Sequence, residues 1–237
     1  MKENIINDYQ KEIYANWEYI CSNELVDNYI SVLEKFNTHN VIKILDIGGC
    51  SGYFAAALYK YFVEKKCNCE ITVLDNAVYD TWNRNNSKIT FIEGSANDIE
   101  KLFDVNTYDL IFANRVFHHF VKDTWESSIN SINDIMRQIK VILKNDGYFC
   151  ITDFFYDGYF VDSSASKIIY KLTSCKNPLL VKIFRKIESN SAGIGVCFLS
   201  KKLWLNFFKI NSFKIETITD GDKFQRSLFR ILIYKIF

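Results

Sequence analysis

Short apolar runs alternate with stretches of helical spacing from about residue 41 to residue 155. The runs are Val41 to Ile47, "EITVLDNA" ending near Asp75, "KITFIEGS", "YDLIFANRV" and "GYFCITDFF". Each is short, apolar and rich in β-branched or aromatic residues, which predicts five buried strands. Between them lie a helix over about 52–65, with Phe54, Leu58, Tyr61 and Phe62 facing inward, a short helix over 98–103 and a long one over 125–143. Tyr79 and Trp82 fall in a short helical or looped piece, and "KNDG" reads as a turn. Before residue 41, Ile13, Trp17 and Ile20, then Leu25, Tyr29, Val32, Leu33 and Phe36, recur at helical spacing. After residue 155 the alternation stops, and 156–200 reads as helix and loop. Two further strands, "SFKIETITD" and "LFRILIYKIF", are joined by "GDKFQRS", short enough for a hairpin.

Strands alternating with helices imply right-handed crossovers and a parallel sheet covered on both faces. The predicted fold class is α/β: a Rossmann-like, seven-stranded, mostly parallel sheet with an antiparallel last strand. One domain over 1–237 is expected, with a helical cap (1–40), a core (41–155), a lid between strands 5 and 6 (156–200) and closing strands (201–237). Composition fits this picture: of 237 residues, 49% are hydrophobic and 24% charged, ample for a packed core. A net charge of +1 gives no global attraction to nucleic acid, and no nucleic-acid module is visible. Seven scattered cysteines follow no disulfide or zinc spacing, so reduced thiols and no bound metal are expected. The polar start and the lack of a long apolar run predict a soluble, cytoplasmic protein without a transmembrane segment.

The candidate chemistry begins at "ILDIGGCSG". Glycines at a strand-to-helix turn let a ligand approach the backbone, and helix N-termini present free N–H donors. Strand 2 ends in Asp75, placed to accept hydrogen bonds from both hydroxyls of a ribose. Together they predict a nucleoside site at the carboxyl ends of strands 1 and 2. The spacing is not the G-x-G-x-x-G of dinucleotide-binding oxidoreductases. Cys50 stands among the glycines; its Cβ predicts a negative φ there or accepted strain, and nothing adjacent in sequence predicts a reactive thiol.

"ILDIGGCSGYFAAAL" resembles the first motif of class I S-adenosylmethionine-dependent methyltransferases, with Asp46, Gly48, Cys50 and Gly52 in its acidic and glycine places. "GSANDI", "YDLIFANRVFHHF" and "LKNDGYFCITDF" resemble the later motifs in order. The resemblance implies S-adenosylmethionine as cofactor and S-adenosylhomocysteine as product. It places Asp46 near the methionine amino end, Asp75 on the ribose, Asp98 or Asn97 at the adenine amine and Ala96 beside the ring. Gly49, Asn76 and Asn114 complete the implied cofactor set. Strand 4 ends in "ANRV", unlike the pattern with which similar nucleic-acid methyltransferases grip an exocyclic amine.

Methyl transfer needs positioning and exclusion of water, with a base only where the nucleophile carries a proton. His118 and His119, just past strand 4, are the candidate bases, at most one of them acting. Tyr14, Trp17, Arg115, Phe155, Tyr156 and Tyr159 are candidate walls of an acceptor pocket. The expected reaction is methylation of a small aromatic or amphipathic molecule in natural product biosynthesis, on oxygen first and nitrogen second. The alternatives are a cofactor-binding regulatory protein without transfer and a non-methylating enzyme such as a cyclase. The lid carries Lys167, Lys171, Lys176, Lys182, Arg185 and Lys186 against Glu188, a solvated face or a contact for a carrier protein or other anionic partner. A homodimer is compatible with the sequence.

Overall fold

The computed structural model describes residues 8–36, 40–83, 88–158, 161–178, 181, 193–220, 224–226 and 229–236. Its helices are α1 (Asp8–Asn28), α2 (Ile30–Leu33), α3 (Tyr53–Glu64), α4 (Ile99–Leu102), α5 (Trp125–Ile142), α6 (Ser164–Thr173) and α7 (Lys201–Ile210). The strands are β1 (Ile42–Ile47), β2 (Cys69–Asp75), β3 (Ile89–Glu93), β4 (Tyr108–Asn114), β5 (Leu143–Phe155), β6 (Ile218–Asp220), β7 (Phe224–Arg226) and β8 (Phe229–Ile236). Two compact units divide the chain: one of residues 5–114 with 138–151, the other of 115–137 with 152–236.

In the first unit the strands run in the order β3-β2-β1-β4-β5. β1 pairs in parallel with β2 and β4, and β2 with β3. In β1 only Lys43 is exposed, because helices cover both faces of a parallel sheet. Register sets Ile47 level with Leu74 and Ala113, so the carboxyl ends of β1, β2 and β4 finish side by side. Phe54, Ala55, Leu58 and Phe62 bury one face of α3. Tyr29, Phe54 and Phe112 pack ring against ring at 5.1–6.2 Å inside this core.

The expected seven-stranded sheet is corrected: five strands, β1 to β5, form the Rossmann-like part, and the sheet as a whole has eight, with β8 following β5. Beyond β5, β6 and β7 each pair antiparallel with β8. "GDKFQRS" is not simply a linker: Phe224–Arg226 within it form β7, which pairs with β8. "KNDG" lies inside β5 rather than forming a separate turn. α7 replaces part of the region expected to hold closing strands, and 213–217 carry no regular structure. Ser200 caps α7 by accepting from the Leu203 N–H at 3.1 Å, and Trp204, Phe207 and Phe208 bury its apolar face. α1 also departs from expectation, since Ile20 is 76% exposed while Gln10, Glu18 and Ser22 are buried. Among the described residues no helix is long and apolar enough to cross a membrane. The seven cysteines are free thiols.

Candidate cofactor-binding site

The loop from β1 to α3 turns through left-handed backbone at Gly48, Cys50 and Gly52, with φ of 69°, 42° and 79°. Gly52 is needed twice over, because an added Cβ would also lie 2.6 Å from the Phe91 ring. Of the two expectations at Cys50, a negative φ or accepted strain, the positive value gives the second. Left-handed backbone costs a non-glycine residue roughly 1–2 kcal/mol, so neighbouring bonds must hold it there. The Cys50 N–H donates to Asp75 Oδ2 at 3.0 Å, and its carbonyl accepts from the Trp82 indole at 2.7 Å. Thr81 donates to the next carbonyl, that of Ser51, at 2.7 Å. Burial, with the nearby Asp75 carboxylate second, pushes the Cys50 thiol well up, so at neutral pH it is protonated and a poor nucleophile.

Three buried carboxylates surround this loop. Asp75 spans it and the chain beyond β2, accepting from Cys50 through Oδ2 and from the Ala77 N–H through Oδ1 at 3.0 Å. Glu18, from α1, accepts from the N–H groups of Ser51 at 2.9 Å and Phe54 at 3.0 Å, at the start of α3. Asp46 is 2% exposed, and its Oδ2 has no hydrogen-bond partner. A Cβ on Gly49 would fall 2.4 Å from that oxygen, so glycine alone lets loop and carboxylate approach so closely. Burial raises all three carboxyls: Glu18 to about 7, Asp75 to about 6 and Asp46 well above the carboxylate range. Neighbouring carboxylates add to the shift for Glu18 and Asp46. Among the described residues none of the three meets a lysine or arginine, and backbone N–H groups are what favour the ionised forms of Glu18 and Asp75.

The remaining predicted cofactor residues are spread around the same unit. Asn114 closes β4, its Oδ1 accepting from the Tyr29 hydroxyl at 2.6 Å while its buried Nδ2 lacks a partner. Ala96 is buried. Asn97 is tied down locally, its side chain donating to Ser95 Oγ at 3.0 Å and its carbonyl accepting from Gln138 at 3.0 Å. Asp98 is half-exposed and ion-paired with Lys101, and Asn76 is exposed. On α1, Tyr14 is half-buried with its phenol pushed up to about 12, mainly by burial, and Trp17 packs against the core.

The second unit holds the predicted bases. His118 lies in a single 3-10 turn, Phe117–His119, and its Nδ1 is 2.6 Å from Asp153 Oδ1. Asp153 is 4% exposed and also accepts from the Phe154 N–H at 2.7 Å, which fixes its carboxylate. Among the described residues nothing hydrogen-bonds His118 Nε2. The imidazole stacks on Phe198 at 5.0 Å and meets Phe154 edge-on at 5.5 Å, and Tyr156 lies 4.7 Å from Phe198. Burial, and then His118, lower the pKa of His119 and hold it neutral. Arg115, at φ 53°, sets its guanidinium 5.2 Å over the Phe154 ring. Phe155 is fully buried. Lys167 is engaged with Glu126 at 3.2 Å and lies over Trp125. Tyr159, Lys182, Arg185, Lys186 and Glu188 lie outside the described residues.

Residues 45–151 match the family described as a methyltransferase domain. Over that stretch, 107 of the 237 residues, the chain resembles a class I methyltransferase domain. No curated protein matches it by sequence. Among solved structures it is similar to a protein assigned as a sarcosine dimethylglycine methyltransferase from Galdieria sulphuraria (18% identity, TM-score 0.55, 85% of this chain and 64% of that one). It is also similar to the 4+2 cyclase SpnF (14%, 0.53, 84% and 59%). A third is phosphoethanolamine N-methyltransferase 2 of Haemonchus contortus, bound to phosphomonomethylethanolamine and S-adenosylhomocysteine (13%, 0.54, 89% and 52%). The chain thus spans less than two thirds of each of these proteins. S-adenosylmethionine is the cofactor that a methyltransferase domain implies. The residues present fit it: the unpartnered Asp46 oxygen, the Gly49 cradle and three carboxylates without a cation suit a ligand bearing an ammonium and a sulfonium.

The sequence reading missed Glu18 and Asp153. Glu18 had no signal, since a lone acid on a polar helix face reads as solvated. Asp153 had one: an acid inside the apolar run "GYFCITDFF" must be paired when buried.

Proposed function

We propose that the protein methylates a small aromatic or amphipathic acceptor, on oxygen in the first place and on nitrogen in the second. The observation that carries this reading is the His118–Asp153 pair, 2.6 Å apart, among the rings of Phe154, Tyr156 and Phe198. A carboxylate accepting from Nδ1–H fixes the tautomer in which Nε2 holds a lone pair. That nitrogen can take the proton of a hydroxyl as its oxygen becomes nucleophilic. Bound S-adenosylmethionine supplies the methyl group as an electrophile, so the protein's own work is to orient the acceptor, remove its proton and exclude water. Asp75, Asp46 and the 48–52 loop hold the cofactor; Asp98 or Asn97 serves its adenine. The whole chain acts as one methyltransferase, with 156–200 selecting the acceptor.

The test is release of S-adenosylhomocysteine against a panel of phenols, carboxylic acids and amines. Turnover on a phenol, lost about 100-fold or more in His118→Ala, is the expected result. Release on amines alone, unaffected by His118→Ala, overturns the oxygen assignment. Binding of cofactor without turnover on any acceptor favours the non-transferring reading, and a rearranged, unmethylated product favours a cyclase.

A further inference from the structure

Asp75 and Glu18 accept from the N–H groups of Cys50 and Ser51, and Asp46 lies close beside Gly49, the residue before them. The three acids come from three separate elements, β2, α1 and β1. We propose that Glu18 makes this loop a seat for a cation, so that the protein binds S-adenosylmethionine in preference to S-adenosylhomocysteine. The inference rests on the loop being the cofactor site.

All three carboxylates are buried, at 5%, 2% and 6% exposure for Glu18, Asp46 and Asp75. Asp46 Oδ2 lies within the cluster without a hydrogen-bond donor. The other titratable groups facing them are Tyr14 on α1, Cys50 on the loop and Tyr79 beyond β2. Burial pushes each of these upward, so each is neutral at pH 7 and none supplies positive charge. Among the described residues no acidic cluster is arranged to hold a metal ion, which leaves an organic cation as the complementary ligand. S-adenosylmethionine carries a sulfonium and an ammonium, whereas S-adenosylhomocysteine keeps only the ammonium. A buried anionic seat stabilises the first more than the second. Glu18 acts through the loop amides it holds and through its charge, as a positioning residue.

A proton count follows. Glu18 and Asp75 titrate near 7 and 6 without ligand, so at pH 6.5 they hold protons in part. A cation beside them favours ionisation, and the displaced protons pass to solvent.

Calorimetry of the full chain at pH 6.5, in two buffers of different ionisation enthalpy, tests this with both ligands. Expected are proton release on S-adenosylmethionine binding and a smaller release with S-adenosylhomocysteine. Glu18→Gln keeps a side-chain acceptor for the loop amides but removes the charge. It is expected to weaken S-adenosylmethionine about tenfold, to leave S-adenosylhomocysteine within about twofold and to reduce proton release. If Glu18→Gln does not fold, Glu18→Asp carries the test, keeping the preference between ligands even where both bind more weakly. Equal weakening of both ligands by Glu18→Gln, or no change in proton release, makes Glu18 a helix cap alone and overturns the proposal. Failure of wild type to bind either ligand overturns the cofactor-site reading itself, a separate result.

Discussion

Gly49 is where the cofactor loop has least room. A methyl group there would meet Asp46 Oδ2 at 2.4 Å and Val73 Cγ1 at 2.9 Å, and neither strand can step aside. Gly49→Ala is expected to cost about 2 kcal/mol of stability, read by chemical denaturation, with cofactor affinity falling alongside. Asp75→Ala removes the acceptor for Cys50 and Ala77 N–H as well as the proposed ribose contact, so calorimetry should show affinity lower by a few kcal/mol. Unchanged affinity would end the ribose assignment. Cys50 predicts the opposite kind of result. Its buried thiol should resist alkylation in the native protein, and Cys50→Gly, which removes the left-handed strain, should leave stability within about 1 kcal/mol. The glycine turn after β1 was legible because strand, turn and helix follow one another directly in the sequence. The φ of Cys50 was not, because bonds from Asp75 and Trp82, distant in sequence, hold it.

At the scale of elements, β1 to β5 and their helices were readable because period and strand length agree with burial on both faces. α1 was read correctly at Trp17 and Leu25, which join the core, but not at Ile20, which is exposed. Its buried side carries Gln10, Glu18 and Ser22, since part of it meets the polar loop at α3 rather than an apolar layer. α7 was missed, although Ser200 and the Trp204, Phe207, Phe208 spacing mark its start and its apolar side. The burial of Glu18 also predicts a pH dependence. Its carboxyl is raised in the folded chain from 4.5 to about 7, so the folded state favours the protonated form. Wild type should therefore match Glu18→Gln below about pH 4.5 and lose stability relative to it as pH rises to about 7, by at most about 3 kcal/mol. Thermal melts of both proteins without ligand, at several pH values, check this. A difference that does not change with pH would contradict the assigned burial.

For the whole molecule, the methyltransferase match at 45–151 takes in the first unit's strands and the start of the second unit. Legibility follows the same division. The first unit is written in ordered motifs, whereas the second depends on pairings such as His118 with Asp153, 35 residues apart in sequence. With the acids held ionised by a bound cation, as proposed, the ligand's stabilising effect should grow between about pH 6 and 7.5, read as a larger rise in melting temperature at fixed cofactor concentration. A constant or shrinking rise contradicts the charge argument. One bond already described also gives the protein a signal of its own. The Trp82 indole is hydrogen-bonded to the Cys50 carbonyl and stacked on Phe91, so a molecule arriving at the loop alters the surroundings of a natural fluorophore. Tryptophan emission becomes a label-free titration of cofactor occupancy, and Trp82→Phe identifies how much of the optical change arises there.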